Sequence, residues 1–388
     1  MGFLPKIVAA DLRRRASAPE MPEFSASSRR PRLHHPWLNQ FAWLTAGVTF
    51  LLLGLGGLVT SHEAGMSVPD WPTTYGYNMF LFPLHLWQGN ILYEHMHRLL
   101  ASIVGLLTMI LALWVWLREP RAWLRWLGIS AFLAVVLQGL LGGLRVTLLK
   151  DQIGIVHAAL AQSFFVLVTL IAIFVSGIGR KLVNRIQTFR PSATVQSLTV
   201  ACTALILAQL ILGAAMRHQH AGLAIPDFPL AYGRVWPPTN EAFLQGINSQ
   251  RLDVEQSKPI TAFHIHLHMA HRFLAFMILA LAASVAWKSR RGCGTESTLA
   301  KLSLVWTGII CLQAVLGAAT VLSNKAADIA TAHVLLGALS LLSGSVLSLI
   351  VIRARSRLNA DREYGSATNP DTFSDPPRDR ALIQHASS

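Results

Sequence analysis

Eight stretches of the chain carry almost nothing but apolar residues, and each is long enough to cross a lipid bilayer. They fall at about 41–60, 92–117, 123–147, 154–177, 196–216, 262–287, 300–323 and 329–352. A helix needs roughly 20 apolar residues to bridge about 30 Å of hydrocarbon. Lipid offers no partner to a bare backbone amide, so these segments are expected to be bundled helices. The polar positions between them are distributed unevenly. Both ends of the chain and the connections after the second, fourth and sixth spans hold most of the 33 Lys and Arg residues, among them Arg13, Arg14, Arg15, Arg180, Lys181, Arg290, Arg291, Arg353 and Arg355. Between Thr60 and His97 there is no Lys or Arg. That asymmetry is the positive-inside pattern. It predicts that both termini are cytoplasmic and that the connections after spans 1, 3, 5 and 7 face outward.

The spans are also ordered as a duplication. After span 1 the chain reads Ala64-Gly65-Met66-Ser67-Val68-Pro69-Asp70-Trp71-Pro72, then Tyr75-Gly76. After span 5 it reads Ala221-Gly222-Leu223-Ala224-Ile225-Pro226-Asp227-Phe228-Pro229, then Tyr232-Gly233, an offset of 157. His97-Arg98 recurs as His271-Arg272 at an offset of 174, and Gln138-Gly139-Leu140-Leu141-Gly142 as Gln313-Ala314-Val315-Leu316-Gly317 at 175. His157 recurs as His333 at an offset of 176. The 17-residue jump in offset lies in the longer second outer loop, about 218–261. Each repeat holds an even number of spans, so both halves keep the same orientation, unlike the inverted repeats common in transporters. The expected fold is an all-α integral membrane protein with eight transmembrane helices, built as two tandem, same-orientation four-helix bundles. The expected division is a disordered cytoplasmic tail at 1–38, a first half at 39–178, a cytoplasmic linker at 179–195, a second half at 196–353 and a disordered tail at 354–388.

Composition narrows the class. The chain is 53% hydrophobic and only 13% charged, where a soluble domain is about a quarter charged. The net charge of +14 does not point to nucleic acid, because the basic residues line one side of a membrane rather than one soluble domain. The lipid bilayer is the expected surrounding, and no nucleic-acid partner is expected. Cys202, Cys293 and Cys311 form no CxxC motif, and no structural disulfide is expected. The N-terminal segment has no apolar core, so no cleaved secretory signal is expected. Its Asp11, Glu20 and Glu23 weigh against a mitochondrial transit peptide. The bacterial cytoplasmic (inner) membrane is the expected location, with the mitochondrial inner membrane as the alternative.

The candidate chemistry lies in histidines. His97, His157, His271 and His333 all sit on even-numbered spans, near the outer surface. Two histidines on alternate helices can face each other across a bundle and give a haem iron two axial nitrogens. One intramembrane histidine is as often a hydrogen-bonding residue, but four at duplicated positions point to function. Gly139, Gly142, Gly143, Gly317, Ala318 and Ala319 leave room for a flat cofactor, although close helix packing explains them equally. Arg98 and Arg272 follow the histidines directly and could neutralise a haem propionate or snorkel to headgroups. Arg145 and Arg217 are weaker candidates because they do not recur. Glu94 shares a helical face with His97, whereas the equivalent second-half residue is His268. A carboxylate in a membrane suggests proton transfer, so the first half is the better place for chemistry and the second for a permanent cofactor. His264, His268 and His271 share one face, which suits a zinc or copper ion or a solvated helix entrance. Asp70 and Asp227 read as turn formers, and Trp71, Trp87 and Trp236 suit the outer interface.

Together the Pro-Asp-Trp-Pro loop, the Glu94-His95-Met96-His97-Arg98 entry to span 2, His157, and the second copies around Pro226-Asp227, His271-Arg272 and His333 resemble the haem A synthase family over residues 40–352. The resemblance implies that haem O is the substrate and haem A the product, a ring methyl group being oxidised to a formyl group. It implies that His271 and His333, with Arg272 beside them, hold a haem b cofactor. It further implies that His97 and His157, with Arg98, contact the substrate haem, and that Glu94 is catalytic. Implied partners are a haem O synthase, cytochrome oxidase assembly proteins and an unidentified electron acceptor; a homo-oligomer is compatible with all of this. Some relatives carry paired cysteines in the outer loops, and this chain has none there. Two rivals stay open. One is a dihaem b-type membrane cytochrome carrying electrons from quinol, and the other a transporter or assembly scaffold.

Overall fold

The computed structural model of the chain describes residues 36–179, 181, 190–250 and 259–368. Four helices make the first half: α1 (Pro36–Ser61), α2 (Gly89–Arg118), α3 (Ala122–Thr147) and α4 (Asp151–Val175). Then follow α5 (Ala193–His218), a short α6 (Glu241–Ser249), α7 (Ala262–Cys293), α8 (Thr298–Leu322) and α9 (Ala327–Thr368). Among the described residues, eight of these helices, all but α6, are long and apolar enough to cross a membrane. The chain is therefore an all-helical, multi-pass membrane protein, as its hydrophobic pattern predicts.

Local sequence sets several helix ends. Ser192 caps α5 by accepting from the Val195 amide, and Ser297 caps α8 by accepting from the Ala300 amide. Each satisfies one of the amides a helix start leaves bare. Thr261 and His264 form a reciprocal capping box at the start of α7. The sequence places a tail from residue 354, but α9 runs on to Thr368, and residues 369–388 lie outside the described residues. The segment after Arg353 is rich in Ala and Arg and has no Gly or Pro before Gly365, so nothing stops the helix. The expected tail at 1–38 and linker at 179–195 lie largely outside the described residues, although Pro36–Leu38 already belong to α1.

Packing follows the duplication. In the second half α5, α7, α8 and α9 pack in a closed ring, each helix against the next. In the first half α3 packs against both α2 and α4. The halves meet where α4 lies against α5 and α9, and where Gly54 and Gly57 of α1 approach Leu335 and Thr331 of α9. Each half has its own core, around Leu38, Val104, Leu111 and Phe164 in the first and Cys202, Ile206, Val285 and Trp306 in the second. Leu51, Leu106, Leu133, Phe273, Phe276 and Val315 stay exposed on the outside. Such a surface would be a liability in water and is ordinary against lipid.

The repeat extends to the backbone of the connections. Thr74 bridges Tyr77 in the connection after α1, and Ala231 bridges Arg234 at the equivalent place in the connection after α5. Left-handed residues recur in register: Glu63 with His220, Tyr75 with Tyr232, Gly76 with Gly233, and Leu149 with Asn324. The extra length of the connection after α5 is partly accounted for by α6. Its Phe243, Leu244 and Ile247 pack onto a cluster around Ile225, Ala231 and Ile260. Asn248 ties this cap down by hydrogen bonding both the amide and the carbonyl of Ile260, each at 2.9 Å.

Candidate functional site

The site is roofed by the two repeated loops. Asp70 organises the first, accepting from the amides of Tyr75 and Gly76 at 2.8 and 2.9 Å and from the Thr73 hydroxyl. Asp227 does the same in the second, accepting from the amides of Tyr232 and Gly233 at 2.7 and 2.8 Å. Partial burial works to raise both carboxyls, but the hydrogen bonds donated to them prevail and hold each below its ordinary value. Both aspartates are thus turn formers, as the sequence suggests. The Tyr75 hydroxyl donates to the Ser67 carbonyl, and the Tyr232 hydroxyl to the Ala224 carbonyl, closing equivalent rings.

The arginines after the histidines fasten these loops. Arg98 Nη1 donates to the carbonyls of Asp70 and Thr73 at 2.7 and 3.0 Å, and its Nη2 donates to the Val68 carbonyl at 2.8 Å and to Glu94 Oε1 at 2.7 Å. Glu94 Oε2 accepts from the Val68 amide at 2.8 Å. Glu94 is only 4% exposed, so it is a buried, paired carboxylate rather than a hydrated interface residue. Arg272 donates to the carbonyls of Leu230 and Asp227 at 2.9 and 2.6 Å. It has no carboxylate like Glu94 beside it, because His268 stands there and is 2% exposed.

Below the loops the four histidines occupy equivalent settings. Each ring lies with its Cε1 edge against a glycine on the preceding span. A Cβ placed on Gly56 would stand 3.1 Å from His97, on Gly142 3.4 Å from His157, on Gly213 3.3 Å from His271, and on Gly317 3.1 Å from His333. Gly56 and Gly213 stand at the loop offset of 157, and Gly142 and Gly317 at 175. In all four rings Nδ1 is sealed and has no hydrogen-bond partner, while Nε2 is not closed off. Each of the four residues keeps some accessible surface. His97 lies within electrostatic range of His157, and His271 of His333.

Glutamines brace three of these histidine turns. Gln138 donates to the His157 carbonyl at 3.0 Å, and Gln209 and Gln313 donate to the His271 and His333 carbonyls, each at 2.9 Å. The fourth bond has no counterpart, because Leu52 stands where Gln209 recurs. Gly56, Gly213 and Gln209 were not singled out from the sequence, although the loop offset maps one glycine onto the other. The remaining sequence candidates fall elsewhere. Gly139 has nothing within 4 Å of a built Cβ, and Gly143 lies under the Trp71 ring. His264 caps α7, and His266 lies exposed near Trp236.

Each tandem half of this helical membrane protein brings two histidines from alternate helices within electrostatic range of each other, a pair that could serve a planar metal cofactor. Among the described residues no group of three or more His, Cys, Asp and Glu is gathered to cage a bare ion. A haem iron fits the donor set better, because its porphyrin supplies the equatorial nitrogens and only axial imidazoles are wanted. The chain belongs to the cytochrome oxidase assembly protein family COX15-CtaA, whose model matches residues 39–345. It is 26% identical over 341 residues to a heme A synthase of Lysinibacillus sphaericus, covering 84% of this chain and 98% of that protein. It is 28% identical over 340 residues to a heme A synthase of Halalkalibacterium halodurans, covering 83% and 99%. A heme A synthase of Shewanella oneidensis is 28% identical over 317 residues, covering 76% and 91%.

Proposed function

We propose that this protein is a haem A synthase, a membrane oxidoreductase that converts the ring methyl group of haem O into the formyl group of haem A for cytochrome oxidase assembly. The observation that carries the reading is the asymmetry between two otherwise matched histidine pairs. Glu94 stands one helical turn from His97, and His268 stands in its place beside His271. A relay that only passes electrons from quinol needs no acid–base group at one pair alone. Oxidising a methyl group releases protons and needs a base.

His271 and His333 would hold a haem b through Nε2, and that haem supplies one-electron redox chemistry when bound. His97 and His157 would bind the substrate haem through its iron and so fix its ring. Gly56 and Gly142 let those two imidazoles sit flush against α1 and α3. The loop strapped down by Arg98 and Asp70 shields the first site from water. Glu94 would accept the proton leaving the methyl carbon, a role its burial beside Arg98 supports, since that guanidinium balances its charge. Arg98 and Arg272 act on the sites through the loops they hold. The electrons pass to an acceptor whose chemistry is not yet assigned. Haem O arrives from a haem O synthase, and haem A leaves to the oxidase assembly proteins. The positive-inside pattern supports cytoplasmic termini, with both histidine pairs toward the outer face of a bacterial inner membrane.

The test is co-expression with a haem O synthase, followed by extraction and chromatography of the membrane haems. Haem A is expected, with hydroxylated haem O as the intermediate. Haem O alone, in membranes holding well-folded protein, would overturn the proposal.

A further inference from the structure

Arg217 is a membrane cation with no matching anion. It lies four residues after Gly213, the glycine that backs His271, and so shares that face of α5. Its Nη2 donates to the Gly57 carbonyl at 2.9 Å and to the Ser61 hydroxyl at 2.8 Å, both on α1. These acceptors are neutral. No carboxylate among the described residues pairs with Arg217. Its Nη1 and Nε are not sealed, and His333 lies within its electrostatic reach. The guanidinium is therefore held from behind by α1, with its remaining donors open beside the second histidine pair. A charge kept inside a membrane without a counter-ion is costly, and an arriving carboxylate would offset that cost.

The first half contains a related but different arrangement. Arg145 lies three residues after Gly142, the glycine that backs His157, and is within electrostatic range of His97 and His157. It faces Asp151 at 3.6 Å. Arg145 thus comes within range of its histidine pair from α3, and Arg217 comes within range of His333 from α5, while Arg98 and Arg272 lie within range of His97 and His271 from the same helix. Simple superposition of the repeats hides this, because Arg145 aligns with Thr320 and Arg217 with Thr60.

We propose that Arg217 is the anion receptor of the second histidine site, binding a carboxylate side group of the porphyrin held by His271 and His333. This rests on the haem reading of those histidines. Arg145 is its counterpart in the first site, where Asp151 competes for the same guanidinium. A carboxylate at Arg217 meets an unopposed cation and stays. One at Arg145 must displace Asp151 and leaves more readily, which suits a site that releases its product. Arg98 cannot serve this purpose, since its four terminal N–H groups already have acceptors.

The experiment uses the full-length holoprotein in detergent. Two quantities are read: the rate of haem b loss to excess apomyoglobin, and the midpoint potential of the bound haem. Arg217→Gln is expected to speed haem loss by about tenfold or more, the scale of a lost charge-assisted hydrogen bond, and to lower the potential. Arg217→Lys should restore most of the potential but less of the retention, because it keeps the charge and loses the fork. Lys301→Gln removes an exposed cation paired with Glu296, away from the histidines, and should leave both readings near wild type. The inference is overturned if Arg217→Gln matches wild type in both, or if Lys301→Gln reproduces its effect. Should Arg217→Gln not accumulate, wild-type protein loaded with the dimethyl ester of haem b carries the test: faster loss supports the receptor and equal loss overturns it. His271→Ala separates the two layers, since haem b retained in that variant defeats the haem reading itself.

Discussion

Four glycines define the site as firmly as the four histidines they support. A methyl group on Gly317 would meet the His333 ring at 3.1 Å, and the ring would have to shift by a few tenths of an ångström to accept it. An axial ligand has little such freedom, because iron fixes where its nitrogen must be. Gly317→Ala is therefore expected to lower the haem b content of purified protein by at least half, read as the pyridine haemochrome. Gly139→Ala, one turn below Gly142 and free of neighbours within 4 Å, should leave that content unchanged. Glu94 calls for a different substitution, since its Oε2 holds the Val68 amide while its Oε1 holds Arg98. Glu94→Gln preserves an acceptor for Val68 and removes the base. It is expected to keep wild-type haem b and to reduce haem A formation by about a hundredfold, the scale of a lost general base. Haem A at wild-type yield would show that Glu94 is only a loop clamp.

The connecting loops are ordered by carboxylates as well as by apolar burial, and the carboxylates make them sensitive to acid. Asp70 and Asp227 are both held below the ordinary carboxyl value. Their contribution to loop order is therefore complete above the ordinary value, about pH 4, and is lost as pH falls through the lower folded value. Limited proteolysis in nanodiscs should find both loops protected at neutral pH and opening as the pH falls below the ordinary carboxyl range. Asp70→Asn should open the first loop at every pH and leave the second as in wild type; equal protection of both loops would contradict this role. The loops also show which features the sequence makes legible. Repeated Pro-Asp and Tyr-Gly pairs announce equivalent turns, because turn chemistry is local. The Arg98 clamp is not legible, because its acceptors are backbone carbonyls of Val68, Asp70 and Thr73, and any residue type supplies those. The helix of Glu241–Ser249 is missed for a related reason: its apolar face is three residues wide, too short to rise above the surrounding loop.

The eight spans, their duplication and the four histidines were all readable before any coordinates, since each is fixed by hydropathy or by a constant offset. Which arginine faces which histidine pair was not. Adjacency to His97 and His271 marks Arg98 and Arg272, and both keep electrostatic range of those histidines while they spend donors on loop carbonyls. Arg145 and Arg217 reach the histidines from neighbouring helices, and they stand at unlike positions in the two repeats. Duplication thus supplied two equal bundles, and a few substitutions made them unequal. Glu94 stands opposite His268, Thr60 opposite Arg217, and Leu52 opposite Gln209. On the proposed reading this inequality divides the work, with a resident haem in the second half and a haem being changed in the first. Haem extraction from purified His97→Ala and His271→Ala proteins, each co-expressed with a haem O synthase, tests it directly. Both variants are expected to yield no haem A, with haem b at wild-type level in His97→Ala and absent from His271→Ala. Haem b lost from His97→Ala and retained in His271→Ala would contradict the division.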